Sequence, residues 1–466
     1  MARATVTGSL ALAMGEAVAR LVAFGTTVFL ARTLGPESYG VMAVAAGVML
    51  YLSQIADSGV ELGGLTDAAA GPARVNEIAS SVLSHRLRVA AALLVVVVPA
   101  GYWLLPQPDG LVLAVYALGL PAVALSVRWV YVGLQRSTPV AVSRVLGDVV
   151  TAALTLAFVR GPATVLAAPL AVVLGGLAAA VLLLRGLPRL GVHLRRAHDA
   201  ARVRAMLHRG RRLVLFTLLG LVLYNIDLLM LRFLGGEEAA GHYAAAYVLI
   251  SFCANLMIAY AHTVLPALAG GAPPDAATAA TYGSALVTAC AVTMPVAVGG
   301  ALIAPLVIHL LFGDAYAAAA VALQALVLAV PLGAMREIAV AALIARQCED
   351  ALLRVNIVAT VVNVSLNLFL IPRYGLVGAA WATVASEVVR LGVALVTARQ
   401  VIPGTLPMVP LLKCLLAGGG MALAVSGLGL RGSLLAVAVG GVVYPGLLVV
   451  LGVVSVSAGP RVRISG

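Results

Sequence analysis

The sequence predicts an all-α polytopic membrane protein of about 14 transmembrane helices, and three observations carry that expectation. Of 466 residues, 62% are hydrophobic and 10% charged, with a mean hydropathy of +1.08; this is too little polarity to cover a water-facing surface. Nearly the whole chain divides into apolar runs of the roughly 20 residues that cross a hydrocarbon layer, and no stretch large enough for a soluble domain is left over. Finally, a charged corner recurs. Leu30 to Tyr39 reads LARTLGPESY and Leu231 to Glu237 reads LRFLGGE, aligning Arg32 with Arg232, Leu34 with Leu234, Gly35 with Gly235 and Glu37 with Glu237. Arginine and glutamate are rarer here than glycine and leucine, so their joint recurrence indicates an internal duplication, as transporters of two related halves have.

Taken in order, the first helix is expected over 9–32 and stops at Gly35-Pro36. The second covers 40–62, the third 84–105 up to Pro106-Gln107-Pro108, the fourth 110–134, the fifth 138–160 up to Gly161-Pro162, and the sixth 162–185. A different segment follows: from Arg185 to Arg212 the chain holds nine arginines, three histidines and one acid, Asp199. Helices resume over 213–234, closed by Gly235-Gly236, then 241–268 before Pro273-Pro274, 279–312 before Gly313-Asp314, 318–345, 350–371 before Pro372-Arg373, and 375–399. Two more, 407–430 and 432–458, complete the chain. Glycine, proline and charge mark most joints. The organisation is a first lobe of six helices (1–185), a basic interlobe loop (186–212), a second lobe (213–400) and an appendage (401–466). Pro99, Pro121, Pro266, Pro295 and Pro331 are expected to kink their helices.

Placement of charge sets the orientation. Of 30 basic residues, 20 fall in alternate loops and tails, among them Arg74, Arg86, Arg88, Arg136 and the Arg185 to Arg212 segment. That is the positive-inside signature with both termini cytoplasmic, and it assigns the net charge of +12 to anionic membrane lipids rather than nucleic acid. The basic segment reads as a linker, partly an amphipathic helix meeting headgroups, with a soluble partner as the second reading. His193, His198 and His208 lack a completed ligand set for zinc. Lys413, the single lysine, follows no glycine-rich loop, which argues against a P-loop ATPase. Cys253, Cys290, Cys348 and Cys414 form no CxxC and are expected to pack. Glu16 and Arg20 interrupt the first apolar run, unlike a secretory signal, and the Asn363 sequon lies inside a helix.

A charge within a span must face a cavity, pair or snorkel. The arginines so placed are Arg20, Arg128, Arg144, Arg336 and Arg390; the acids are Glu16, Asp57, Glu61, Asp148, Asp227, Glu337 and Glu387. Spacing alone pairs Glu16 with Arg20 and Arg144 with Asp148 at i,i+4, and Glu387 with Arg390 at i,i+3. Asp227, beside Asn225, has no cation four residues away. Asp57 and Glu61, one turn apart, read as an interface feature. Trp129 and Trp381 either pack or stack on sugar.

The corner ARTLGPESYG resembles the one closing helix one in the polysaccharide flippases of the MATE-like (multidrug, oligosaccharidyl-lipid, polysaccharide) exporter superfamily. Three later segments are similar to the same family: NIDLLMLRFLGGEEAAGHYAAAY from Asn225, APLVIHLLFGDAYAAAA from Ala304 and NLFLIPRYGLVGAAWATVASE from Asn367. The resemblance implies two pseudo-symmetric six-helix lobes about a central cavity plus two C-terminal helices. It further implies a non-enzymatic flippase that carries a polyprenyl-diphosphate-linked oligosaccharide to the outer leaflet by alternating access, for O-antigen, exopolysaccharide or related surface glycans, alongside polymerase and glycosyltransferases. On that basis Arg20, Arg144 and Arg336 are the cations expected to take the diphosphate, since arginine's fork suits phosphate oxygens. Arg128 and Arg390, which can snorkel instead, are secondary. Asn225 and Asp227, with Glu16 and Asp148, are the polar residues expected to bind a coupling cation or proton or to pair, Asp227 with Arg20; no other cofactor is expected. The alternatives are a MATE-type drug antiporter, a lipid II flippase and a non-transporting scaffold.

Overall fold

The computed structural model describes residues 2–70, 74–194, 199–269, 275–402, 404, 406–456 and 462–464, helical almost throughout. The chain is a multi-pass membrane protein: eleven helices are long and apolar enough to cross a bilayer. Two of these are broken at a glycine into two arms, and with the shorter last helix they give the fourteen expected spans. The fold divides into two compact units, residues 1–221 and 222–466. The division falls inside one helix rather than in the basic segment.

In the first unit, α1 (Ala2–Asp57) breaks at Gly35, where φ is 75° and ψ 168°. This backbone region is open essentially to glycine. Pro36 then opens the second arm, where the N–H it lacks has no helical partner to lose. Asp57 ends α1, Ser58 and Gly59 take positive φ, and α2 (Val60–Ala70) follows. The helix expected over 40–62 is therefore interrupted, and Asp57 and Glu61 stand on different helices. α3 (Val75–Leu104) begins at Val75 rather than at 84, because Val75, Ile78, Ala79 and Val82 form a buried stripe at helical spacing. Arg86 and Arg88 thus leave the loop assigned to them. The fourth span is three short helices, α4 (Asp109–Ala117), α5 (Leu120–Leu125) and α6 (Arg128–Gly133). α7 (Ser137–Phe158) and α8 (Ala167–Gly186) cross at Gly147, where a Cβ would lie 3.1 Å from the Gly175 carbonyl oxygen; small residues give membrane helices this close approach. α9 (Ala200–Gly235) carries the second part of the basic segment and the seventh span as one continuous helix.

The second unit holds α10 (Glu237–Leu268), α11 (Ala276–Phe312), α12 (Ala319–Leu326), α13 (Ala329–Ala345), α14 (Glu349–Val401), α15 (Met408–Gly427) and α16 (Leu434–Val450). The break before α10 is at Gly236 (φ 95°, ψ 175°). The two corners therefore correspond one residue away from their sequence alignment, Gly35 with Gly236. Gly313 (φ 86°) and Gly375 (φ 53°) repeat the device after α11 and inside α14. Asp275 caps α11 by accepting the Thr278 N–H at 2.8 Å; that bond and one from the Thr278 hydroxyl hold its carboxyl below the ordinary range. α16 stops at Val450, short of the expected 458, and β1 (Val454–Val456) pairs antiparallel with β2 (Val462–Ile464). Of the five expected kink prolines, Pro99, Pro266 and Pro295 lie inside helices. Pro121 and Pro331 open α5 and α13, where they interrupt nothing.

Candidate functional site

Within the second unit four buried charged side chains of α13 and α14 form one network. Arg336 on α13 holds Glu387 on α14 at 2.9 Å through Nε and its neighbour Glu337 at 2.7 Å. Arg390 holds Glu387 at 3.2 Å and donates to Asn356 Oδ1 at 3.0 Å. Two cations meet two anions, and each of the four side chains is under 20% exposed. A low-dielectric site tolerates charge only when it is balanced and hydrogen-bonded in this way.

A second polar chain runs through the same unit. Asp227 on α9 accepts hydrogen bonds from the hydroxyls of Tyr243 on α10 and Thr383 on α14, and from the Leu228 N–H. Beyond Thr383, the Ser386 hydroxyl donates to the Thr383 carbonyl, Asn363 donates to Ser386, and Asn367 donates to Asn363. Asp227 and Asn367 are almost wholly buried, as is Asn225. Three helices therefore converge on one carboxylate whose side-chain partners are hydroxyls.

In the first unit, Arg86 on α3 is 2% exposed. Its guanidinium donates to the carbonyls of Ser126 (2.9 Å) and Val123 (2.8 Å) where α5 gives way to α6, the Val123 carbonyl also accepting the Ser126 N–H. It also faces Asp57 at 3.4 Å and Glu61 at 3.7 Å. One side chain thus joins the break after α1 to the break in the fourth span, satisfying backbone that lipid cannot. Arg128 meets Glu61 at 3.3 Å while remaining 60% exposed. Arg144 meets Asp148 at 3.1 Å and remains 50% exposed.

Arg144 with Asp148 and Glu387 with Arg390 are therefore present as local pairs. Arg128 and Arg390 do not simply snorkel, since both are ion-paired, and Arg336 is enclosed between two glutamates. Asp57 and Glu61 belong to the Arg86 cluster rather than to an interface. Arg20 is half-buried on α1 with contacts of its own, whereas the Glu16 side chain lies outside the described residues. Trp129 is core, packed beside Gly64; Trp381 is half exposed. Sequence reasoning missed Arg86, Tyr243, Thr383 and the three asparagines. A signal existed: Arg86 continues the Val75, Ile78, Val82 stripe, and Asn356, Asn363 and Asn367 share one helical face.

A family model described as "Polysaccharide biosynthesis protein" matches residues 5–271. Among solved structures the chain is similar to the lipid II flippase MurJ in an inward closed conformation, with a TM-score of 0.79 at 12% identity over 94% of this chain and 98% of that one. It is similar to an inward-facing multidrug resistance MATE family transporter of the MOP superfamily, with a TM-score of 0.67 at 18% identity over 82% of this chain and 93% of that one. A MOP superfamily transporter from Pyrococcus furiosus, described by the reverse polarity of its binding pocket, gives 0.57 at 17% over 85% and 95%. No curated protein matches the chain. At these identities the likeness is one of fold.

Proposed function

We propose, from the premise that this chain belongs to the polysaccharide biosynthesis protein family, that it is a flippase moving a polyprenyl-diphosphate-linked oligosaccharide from the cytoplasmic to the outer leaflet by alternating access. It makes and breaks no covalent bond in this reading, and polymerase and glycosyltransferases act before and after it. Residues 1–185 and 213–400 are the two lobes, 186–212 the cytoplasmic connection, 401–466 the appendage, and both termini are cytoplasmic.

The observation that carries the reading is how the cations divide. Arg128 and Arg144 keep half or more of their side chains exposed, and each has a single carboxylate that a diphosphate can replace. Arg336 and Arg390 are enclosed by acids. The diphosphate contact is therefore assigned to Arg20, Arg144 and Arg128 of the first unit, and Arg336 and Arg390 are given up as ligands. Asp227, reached by two hydroxyls, is assigned to coupling, taking up a proton or a monovalent cation.

The test is reconstitution in vesicles with a fluorescent lipid diphosphate oligosaccharide. Wild-type protein is expected to move it across the bilayer, and Arg20→Gln with Arg144→Gln to slow that movement at unchanged protein level. Equal rates would overturn the assignment. Lipid II supplied to the same vesicles separates the two glycolipid classes, and preferential uptake of a cationic drug would identify an antiporter instead.

A further inference from the structure

The basic part of α9 sorts its cations onto two faces. Val203 and Met206 are buried in the core of the first unit, and Arg202 and Arg209 flank them. Arg202 reaches Glu77 at 3.3 Å and Asp199 at 3.6 Å; Arg209 reaches Asp67 at 3.1 Å. The linker before α9 is held as well, since the His193 N–H donates to Asn76 and the Asp199 N–H to Ser81. These contacts occupy the nearby acids. Arg204, His208, Arg211 and Arg212 are exposed on the face turned away from that core. Among the described residues, Arg204, His208 and Arg211 have no ion-pair partner.

Depth selects the occupant. The described apolar span of this helix runs Val214–Gly235. With a rise of about 1.5 Å per residue, Arg212 and Arg211 lie about 3 and 4.5 Å beyond the span's end, within a headgroup layer of about 5–8 Å on each side. His208 and Arg204 follow at about 9 and 15 Å along the helix, within roughly a Debye length of that layer. We propose that the Arg204, His208, Arg211 and Arg212 face of α9 is a docking site for the phosphates of anionic lipids, while Arg202 and Arg209 fasten the helix to the protein. The stripe adds to the positive charge of Arg185 at the end of α8 and Arg189 in the turn after it, both exposed. The proposal does not depend on which glycolipid is moved.

The full chain is placed in nanodiscs of mixed phosphatidylglycerol and phosphatidylcholine, and the lipids retained on release are measured by native mass spectrometry. Wild-type protein is expected to retain phosphatidylglycerol preferentially, less so at high salt. The Arg204→Gln, Arg211→Gln double variant is expected to lose about fivefold of that preference per arginine at unchanged melting temperature. Arg202→Gln with Arg209→Gln is the opposing control, with a lowered melting temperature and the preference kept. Unchanged retention in the first variant, or equal loss in both, would overturn the proposal.

Discussion

The two units carry similar charges and use them differently. In the second, Arg336, Glu337, Glu387 and Arg390 close on one another at 2.7 to 3.2 Å, all under 20% exposed. In the first, the ion pairs of Arg86, Arg128 and Arg144 span 3.1 to 3.7 Å, and two of those three cations remain half open. The difference shows that a count of intramembrane arginines says little about ligand binding. What matters is whether carboxylates already enclose the guanidinium, because an enclosed fork must give up a buried partner before it can take phosphate.

The largest effect that separates the units is expected at Arg86, the buried exception within the first. Arg86→Ala takes the side-chain donor from two carbonyls and the cation from two carboxylates, and is expected to cost about 5 kcal/mol, the upper end for a broken buried pair. It should appear as loss of folded protein in a detergent thermal-shift assay, and a variant of wild-type stability would break the contrast drawn here. Glu387→Gln comes next, at about 3 kcal/mol, since Arg336 keeps Glu337 while Arg390 keeps only Asn356. Glu387→Gln combined with Arg390→Met should recover part of that loss, which a double-mutant cycle measures.

Asp227→Asn is expected to cost about 1 to 2 kcal/mol, the scale of a perturbed buried hydrogen bond, and to flatten the dependence of glycolipid movement on an applied ion or pH gradient. Gradient dependence identical to wild type would remove Asp227 from coupling. The smallest change in stability is expected at Arg144→Gln, below about 1 kcal/mol for an exposed pair. Its transport defect should nevertheless exceed that of Glu387→Gln per folded molecule, measured as flipping rate against folded fraction; the reverse order would invert the assignment of the two units.

Local relations were legible in the sequence. The fourteen spans, the Arg144 pair and the Glu387–Arg390 pair follow from hydropathy and i,i+3 or i,i+4 spacing. Long-range ones were not. Arg336 finds Glu387 across 51 positions and Thr383 finds Asp227 across 156, and periodicity carries no information about such partners. Continuous apolar character also hid the breaks between α4, α5 and α6, because a helix interrupted against protein stays as hydrophobic as an intact one. Arg86 was misplaced because the amphipathic start of α3 lowers mean hydropathy before the true helix does.

The single-residue breaks at Gly35, Gly236 and Gly375 bear on how this chain tolerates changes of length. With helix on both sides and no intervening loop, one inserted residue would rotate everything that follows by about 100°, carrying buried side chains such as Tyr39 or Tyr243 toward lipid. These corners fix helix register, so insertions and reporter tags are expected to fail there.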